Sequence, residues 1–223
     1  MSLEQDLRDG LAALGLKLST ATQEKLLAYL ALLKKWNRTY NLTAIRDDKE
    51  MLTHHLLDSL SVLAVVEESA LAGPRSGIPG RQSPGRRWAD VGSGAGLPGI
   101  PLAIARPDLE MTLVEAVDKK TAFQRQAKIE LGLSNIEVAG CRVEDLPDGG
   151  FDAVISRAFA ELADFVRLAG HLLLPKGRLY AMKGLLPQDE ISRLPPNWTL
   201  VDCLPLKIPG LDVQRHLLVL EKA

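Results

Sequence analysis

From Trp88 to the carboxyl terminus the chain alternates between two hydrophobic rhythms. Short apolar runs end in small or polar residues, and between them apolar side chains recur every three or four positions. The first rhythm predicts strands ending at Val91 and covering Met111–Val114, Ile136–Ala139, Phe151–Ser156 and Gly177–Lys183, with two further alternating stretches near Leu200 and Leu217. The second predicts helices starting at Pro98 and running over Lys119–Leu131 and Glu161–Gly170. Regular alternation of this kind implies an α/β fold with a mostly parallel twisted sheet, helices on both faces and right-handed crossovers.

Upstream, residues 3–66 follow the helical rhythm. Leu26, Leu27, Leu30 and Leu33 form one stripe, and Met51, Leu52, His55, Leu56, Ser59 and Leu60 form another. Ser19 and Thr20 are candidate caps for the second helix, with Gln23 a capping-box partner of Thr20. Residues 72–87 are dense in Gly, Pro, Ser and Arg and read as a mobile loop. The organisation expected is a helical extension over 1–71, a flexible loop over 72–87 and the α/β domain over 88–223.

In such sheets ligands bind at the carboxyl ends of the strands, and there the chain reads WADVGSGAGLPG, Trp88 to Gly99. A strand that turns over a ligand into a helix needs positive φ angles and bare backbone, which glycine supplies; Pro98 suits the first turn of the helix that follows. Two patterns overlap in this loop. Gly92-x-Gly94-x-Gly96 is the spacing of S-adenosylmethionine enzymes, and Gly94-x-Gly96-x-x-Gly99 is the dinucleotide fingerprint. Glu115 closes the next strand 19 residues after Gly96 and 23 after Gly92, where a carboxylate can hold ribose hydroxyls under either pattern. The strand end at Val91 makes Gly92 the first loop glycine and favours the first pattern. Asp90 is placed to bond loop amides or a ligand's ammonium group. Gly92 and Gly94 are expected to bring backbone amides to the ligand, with Leu97 packing against it.

Composition narrows the class. The 223 residues are 46% hydrophobic and 25% charged, enough for a full core, and the net charge of −1 excludes a generally basic nucleic-acid binder. RNA contact would therefore use local patches: Lys34, Lys35 and Arg38 around Trp36 and Tyr40; Arg75, Arg81, Arg86 and Arg87; and Lys119, Lys120, Arg125 and Lys128. Each patch reads equally well as a solvated face. No run approaches the ~18 apolar residues of a membrane span, and the first residues lack a signal-peptide pattern, so a cytoplasmic location is expected. Cys141 and Cys203 lack metal-ligand spacing and are expected to be buried thiols; no metal site is expected. The Asn-x-Thr matches at Asn37, Asn41 and Asn197 carry no weight without a secretion signal.

Several blocks then occur in order: WNRTYNLTAI from Trp36, HHLLDSL from His54, DVGSGAGLPGIPLAI from Asp90, KKTAFQ from Lys119, RVEDL from Arg142, ISRAF from Ile155, MKG from Met182 and RHLLVLEK from Arg215. Together they resemble the RsmG family, formerly glucose-inhibited division protein B, which methylates a guanine ring nitrogen in small-subunit ribosomal RNA. His54 stands where an arginine is expected beside the histidine, and residues 72–87 look like an insertion. The resemblance implies a Rossmann-like class I methyltransferase with S-adenosylmethionine over the glycine loop, and N7 of a guanine in 16S ribosomal RNA as acceptor, on free RNA or the small subunit. It makes Val143 and Glu144 the adenine-proximal loop and sets Arg157 beside the reaction site, on the cofactor carboxylate or an RNA phosphate.

N7 carries an in-plane lone pair and needs no deprotonation, so no catalytic base is expected, and positioning supplies ~7 to 11 kcal/mol. Asn37, Arg38 and Asn41, at the end of an amphipathic helix, are candidate RNA contacts, although capping explains asparagine there almost as well. His55 and Asp58 share a helical face; they suit either acid–base work or an interior hydrogen bond, and His55 is counted among the RNA contacts. Lys183 after the fifth strand and Arg215 before the last are placed to face RNA. A monomer is expected. Three other readings remain: a methyltransferase of another RNA, protein or small molecule; an NAD-dependent oxidoreductase; and an RNA-binding module on an inactive cofactor fold.

Overall fold

The computed structural model describes residues 2–71, 86–157, 159 and 161–223. Seven strands form one sheet: β1 (Arg86–Val91), β2 (Leu109–Val114), β3 (Ile136–Ala139), β4 (Phe151–Ser156), β5 (Leu173–Lys183), β6 (Trp198–Pro205) and β7 (His216–Lys222). Their order is β3-β2-β1-β4-β5-β7-β6, parallel from β3 to β5, with β7 antiparallel to both β5 and β6. The chain leaves β1 toward β2 on one side and later returns to β4 on the other. This switch point opens a ligand crevice at the carboxyl end of β1.

Strand alternation divides the core in two. Trp88, Met111, Leu113, Ile155, Tyr180 and Met182 are buried in one cluster, and Ala89, Val91, Val114, Val154, Leu179 and Ala181 in the other. The first cluster takes Ile100 of α6 (Gly99–Ala105) and Phe123 of α7 (Asp118–Glu130), and the second takes Leu162 and Phe165 of α8 (Leu162–Ala169). Trp88 and Tyr180 stack across the sheet with ring centroids 4.9 Å apart.

The amino-terminal helices join the first cluster. They are α1 (Leu3–Ala13), α2 (Thr20–Tyr40), α3 (Asp48–Met51), α4 (Asp58–Leu60) and α5 (Leu63–Leu71), with a π-helical segment, Leu52–Leu57, between α3 and α4. Leu7, Leu26, Leu33 and Leu56 are fully buried in the cluster that holds Trp88 and Phe123, so the extension shares a core with the sheet.

Four local expectations are corrected. Ser19, not Thr20, caps α2, its hydroxyl accepting from the Thr22 amide at 3.1 Å, and Gln23 donates to the Leu18 carbonyl instead of closing a box. The helix after the glycine loop starts at Gly99, with Pro98 as its cap residue. The helical rhythm of residues 3–66 breaks at 14–19 and 41–47, where turns join the helices. Arg86 and Arg87 already belong to β1, while the rest of the expected loop, with Arg75 and Arg81, lies outside the described residues.

Candidate active site

The glycine turn carries φ angles of 68° at Gly92, 58° at Gly94 and 83° at Gly96, all in the left-handed region that glycine tolerates. A Cβ on Gly92 would meet no heavy atom within 4 Å, so this backbone faces open space. Gly99 differs: its Cβ would strike Leu113 and approach Asp90 Oδ2 to 2.8 Å. It is glycine for close packing beneath the turn.

Three side chains hold the turn from the protein side. The Tyr29 hydroxyl donates to the Ala95 carbonyl at 2.8 Å, and Gln124 Nε2 donates to Ser93 Oγ and the Gly94 carbonyl, both at 2.8 Å. Asp90 Oδ2 accepts from the Gly99 amide at 2.8 Å, while its Oδ1 is buried with no partner among the described residues. Burial pushes the Asp90 carboxyl up to about 7 against the Gly99 hydrogen bond and the Arg157 charge.

Glu115 faces the turn from the end of β2. Its Oε2 accepts from the Gly94 amide at 2.9 Å and its Oε1 from the Val117 amide at 3.0 Å, with Lys120 Nζ 3.7 Å from Oε2. Each carboxylate oxygen has a second lone pair for a ligand hydroxyl. Leu97 is buried behind the turn; Val143, on a 3-10 turn (Val143–Asp145), packs in one cluster with Val91 and Val114 at the strand ends, and Glu144 beside it is exposed. A bare-backbone turn with open space before it, a carboxylate at the neighbouring strand end and an apolar residue after β3 fit S-adenosylmethionine.

A second group of residues lies where β4 and β5 end. Ser156 Oγ donates to the Val91 carbonyl at 2.8 Å, tying the end of β4 to the residue before the turn. The next residue, Arg157, reaches the amino-terminal helices, donating to the His54 carbonyl at 2.9 Å and to Asp58 Oδ2 at 3.2 Å. Arg215 Nε donates to the other Asp58 oxygen at 3.2 Å. Asp58 thus joins the extension, β4 and the start of β7, and Arg157 is engaged by protein groups rather than standing free for a ligand carboxylate. A cavity of about 350 Å³ opens at this junction.

The expected RNA residues divide. Arg38 is exposed. Asn41 ends α2 in the left-handed region, its amide oxygen accepting from Arg46 at 2.8 Å. Asn37 is buried; its amide bonds the Ile45 carbonyl and the Thr43 amide, so it shapes the turn after α2 instead of presenting a free polar group. His55 is buried with Nε2 3.0 Å from Thr43 Oγ1, and burial with the Arg157 charge lowers its pKa to about 4. It does not pair with Asp58; its neighbour is Thr43. Lys183 Nζ lies 2.8 Å from Glu190, which also accepts from the Leu162 amide. Both cysteines are partly exposed, against the expectation of buried thiols. Among the described residues no group of His, Cys, Asp and Glu is arranged to hold a metal, and no helix is long and apolar enough to cross a membrane.

Comparison with known proteins places this geometry. The model of the GidB family, described as rRNA small subunit methyltransferase G, matches residues 22–218. The chain belongs to this family. Ribosomal RNA small subunit methyltransferase G of Aromatoleum aromaticum is 55% identical over 221 residues, covering 97% of both chains. That of Neisseria meningitidis FAM18 is 51% identical over 222 residues, covering all of both. Among solved structures, TrmN from Thermus thermophilus shares the fold with a TM-score of 0.54 and 21% identity, over 77% of this chain and 53% of that one. A Burkholderia thailandensis 1,6-didemethyltoxoflavin-N1-methyltransferase, crystallised with S-adenosylhomocysteine, aligns with a TM-score of 0.56 and 14% identity, over 88% and 89%. GidB-family membership makes this chain an S-adenosylmethionine-dependent methyltransferase and sets aside the dehydrogenase reading of Gly94-x-Gly96-x-x-Gly99.

Sequence reasoning missed Tyr29, Gln124 and the pairing of Asp58 with two arginines. Tyr29 and Gln124 lie on helical stripes like any core residue; only their polar atoms hinted at a buried partner. Asp58 was visible, but its partners are 99 and 157 residues away.

Proposed function

We propose that this chain transfers a methyl group from S-adenosylmethionine to N7 of a guanine in 16S ribosomal RNA, acting as a monomer in the cytoplasm on RNA or on the small subunit. What carries the reading is the adjacency of two sites: the glycine turn with Glu115 beside it, and the cavity lined by Arg157, Lys183 and Arg215, joined through Ser156 and Val91. Gly92, Gly94, Leu97, Glu115, Val143 and Glu144 would hold the cofactor. Bound there, S-adenosylmethionine supplies an electrophilic methyl carbon. The residues of the chain have to exclude water, fix the cofactor against the carboxyl ends of the strands and present a purine with its N7 lone pair toward it. A ring nitrogen of this kind requires no proton removal, so His55 need only stay neutral in its buried pocket.

Arg38, Asn41, Lys183 and Arg215 are the residues assigned to RNA, with Arg157 holding the helical extension against the end of β4. Incubation with labelled S-adenosylmethionine and small subunits lacking the modification, followed by nucleoside analysis, tests the proposal. Label in N7-methylguanosine supports it. Transfer into another nucleoside moves the acceptor, and cofactor binding without transfer to either RNA or subunits removes the ribosomal substrate.

A further inference from the structure

The cavity between the extension and the carboxyl ends of β4 and β5 has an unexpected composition. Arg157, Lys183 and Arg215 line it, as a site for a polyanion requires, yet Asp58 lies among them, 4% exposed, the one carboxylate among its described lining residues. A cavity that bound only phosphate would be weakened by it. Each Asp58 oxygen accepts one arginine N–H at 3.2 Å, longer than the ~2.7–2.9 Å of a tight charged pair and without a bidentate fork. A carboxylate has about four lone-pair sites, so further donors can be accepted.

Building on the guanine-N7 reading above, we infer that Asp58 selects guanine by accepting its N1–H and N2–H donors on the Watson–Crick edge. Among the four bases, guanine alone presents two adjacent ring-edge donors there. Uracil sets one donor between two acceptors, and adenine and cytosine each set a donor beside an acceptor. N7 lies on the opposite edge of the purine. The commoner guanine contact, arginine on O6 and N7, would cover the reacting lone pair; a carboxylate on the other edge leaves it open. The cavity volume lies within the range of small-ligand sites, and Ile45 and Met182 add apolar surface suited to the faces of an extruded base.

The test uses small subunits reconstituted with 16S RNA carrying guanosine, inosine or N1-methylguanosine at the position that the protein methylates. Inosine lacks the 2-amino donor and keeps N7; N1-methylguanosine lacks the N1 donor. The unmodified protein should methylate both analogues at least about tenfold less efficiently than guanosine, the size of discrimination expected when one polar contact is lost. Asp58→Ala and Asp58→Leu, read where cofactor affinity is retained, should narrow the guanosine-to-inosine ratio to within about threefold, because neither side chain has an acceptor for the 2-amino donor. A purely structural Asp58 would slow both substrates equally and keep the ratio. Equal rates on guanosine and inosine with the unmodified protein overturn the inference even if neither variant folds, and so does a ratio that survives substitution. Absence of N7-methylguanosine from native subunits removes the underlying reading instead, which keeps the two failures distinct.

Discussion

The hydroxyl of Tyr29, on the second helix of the extension, donates to the carbonyl of Ala95 in the glycine turn, 66 residues away and fully buried. Burial pushes the phenol well above its ordinary pKa, so it stays a donor at any working pH. The extension therefore holds the turn in shape. Tyr29→Phe keeps the ring packing on Phe123 and strands one carbonyl, which costs about 1–3 kcal/mol. Denaturant unfolding should show that loss, and calorimetric titration should show S-adenosylmethionine bound several-fold more weakly. Unchanged cofactor affinity would mean that Gln124 and Ser93 suffice.

Gly92 and Gly99 make opposite demands. Gly92→Ala places a methyl group in open space at a φ of 68°, a strain of about 1–2 kcal/mol, and intrudes where the cofactor is expected. The expected outcome is a modest fall in melting temperature and at least a tenfold rise in the cofactor dissociation constant. Gly99→Ala drives its methyl into Leu113 and Asp90 and should destabilise by about 1–3 kcal/mol through overpacking. Thermal melts in parallel with titrations check both.

Elements with a strong rhythm were legible in the sequence. β3 and β4 have the bounds expected, and α7 differs by one residue at each end. Competing polar groups explain the misses: Ser19 and Thr20 are both good caps, and only the three-dimensional course of the chain shows that Ser19 is the first non-helical residue. Gly92, Gly94 and Glu115 come together as their spacing predicts, because a turn of positive φ angles needs glycine and the acidic residue closes the neighbouring strand. Asn37 is the counterexample. An asparagine at a helix end looks the same whether it faces RNA or ties down the next turn, and the bonds to Thr43 and Ile45 form only after the chain reverses.

Two buried groups oppose each other in their pH dependence. Asp90 is raised to about 7, so its contribution to stability is full below its unfolded value near 3.8 and is lost as pH rises toward 7. His55 is lowered to about 4, so its contribution is present above 6.5 and is lost as pH falls toward 4. Between roughly pH 4 and 6.5 the folded chain holds one extra proton at Asp90 and one fewer at His55, and the two slopes cancel. Asp90→Asn should expose the His55 slope, with stability rising with pH relative to the parent by up to about 1.4 kcal/mol per unit. His55→Gln should give the opposite tilt. Unfolding free energies across this window decide it; parallel curves for parent and variants would mean that neither group is buried as described.

Lys183 offers a prediction with two signs. Its side chain is 12% exposed and its ammonium is paired with Glu190 at 2.8 Å, yet it also lines the cavity assigned to RNA. If RNA competes with Glu190 for this charge, Lys183→Ala should weaken RNA binding, leave the cofactor dissociation constant intact, and lower the slope of log affinity against log salt by about 1. Glu190→Gln should then act in the other direction, removing the negative charge that competes with RNA for the lysine and tightening RNA. A lysine that only anchors the segment after β5 predicts something else: both variants lower the melting temperature and neither changes the salt slope. Filter binding of small-subunit RNA over a salt series, with both variants side by side, separates the two, and the expected result is the pair of opposite shifts.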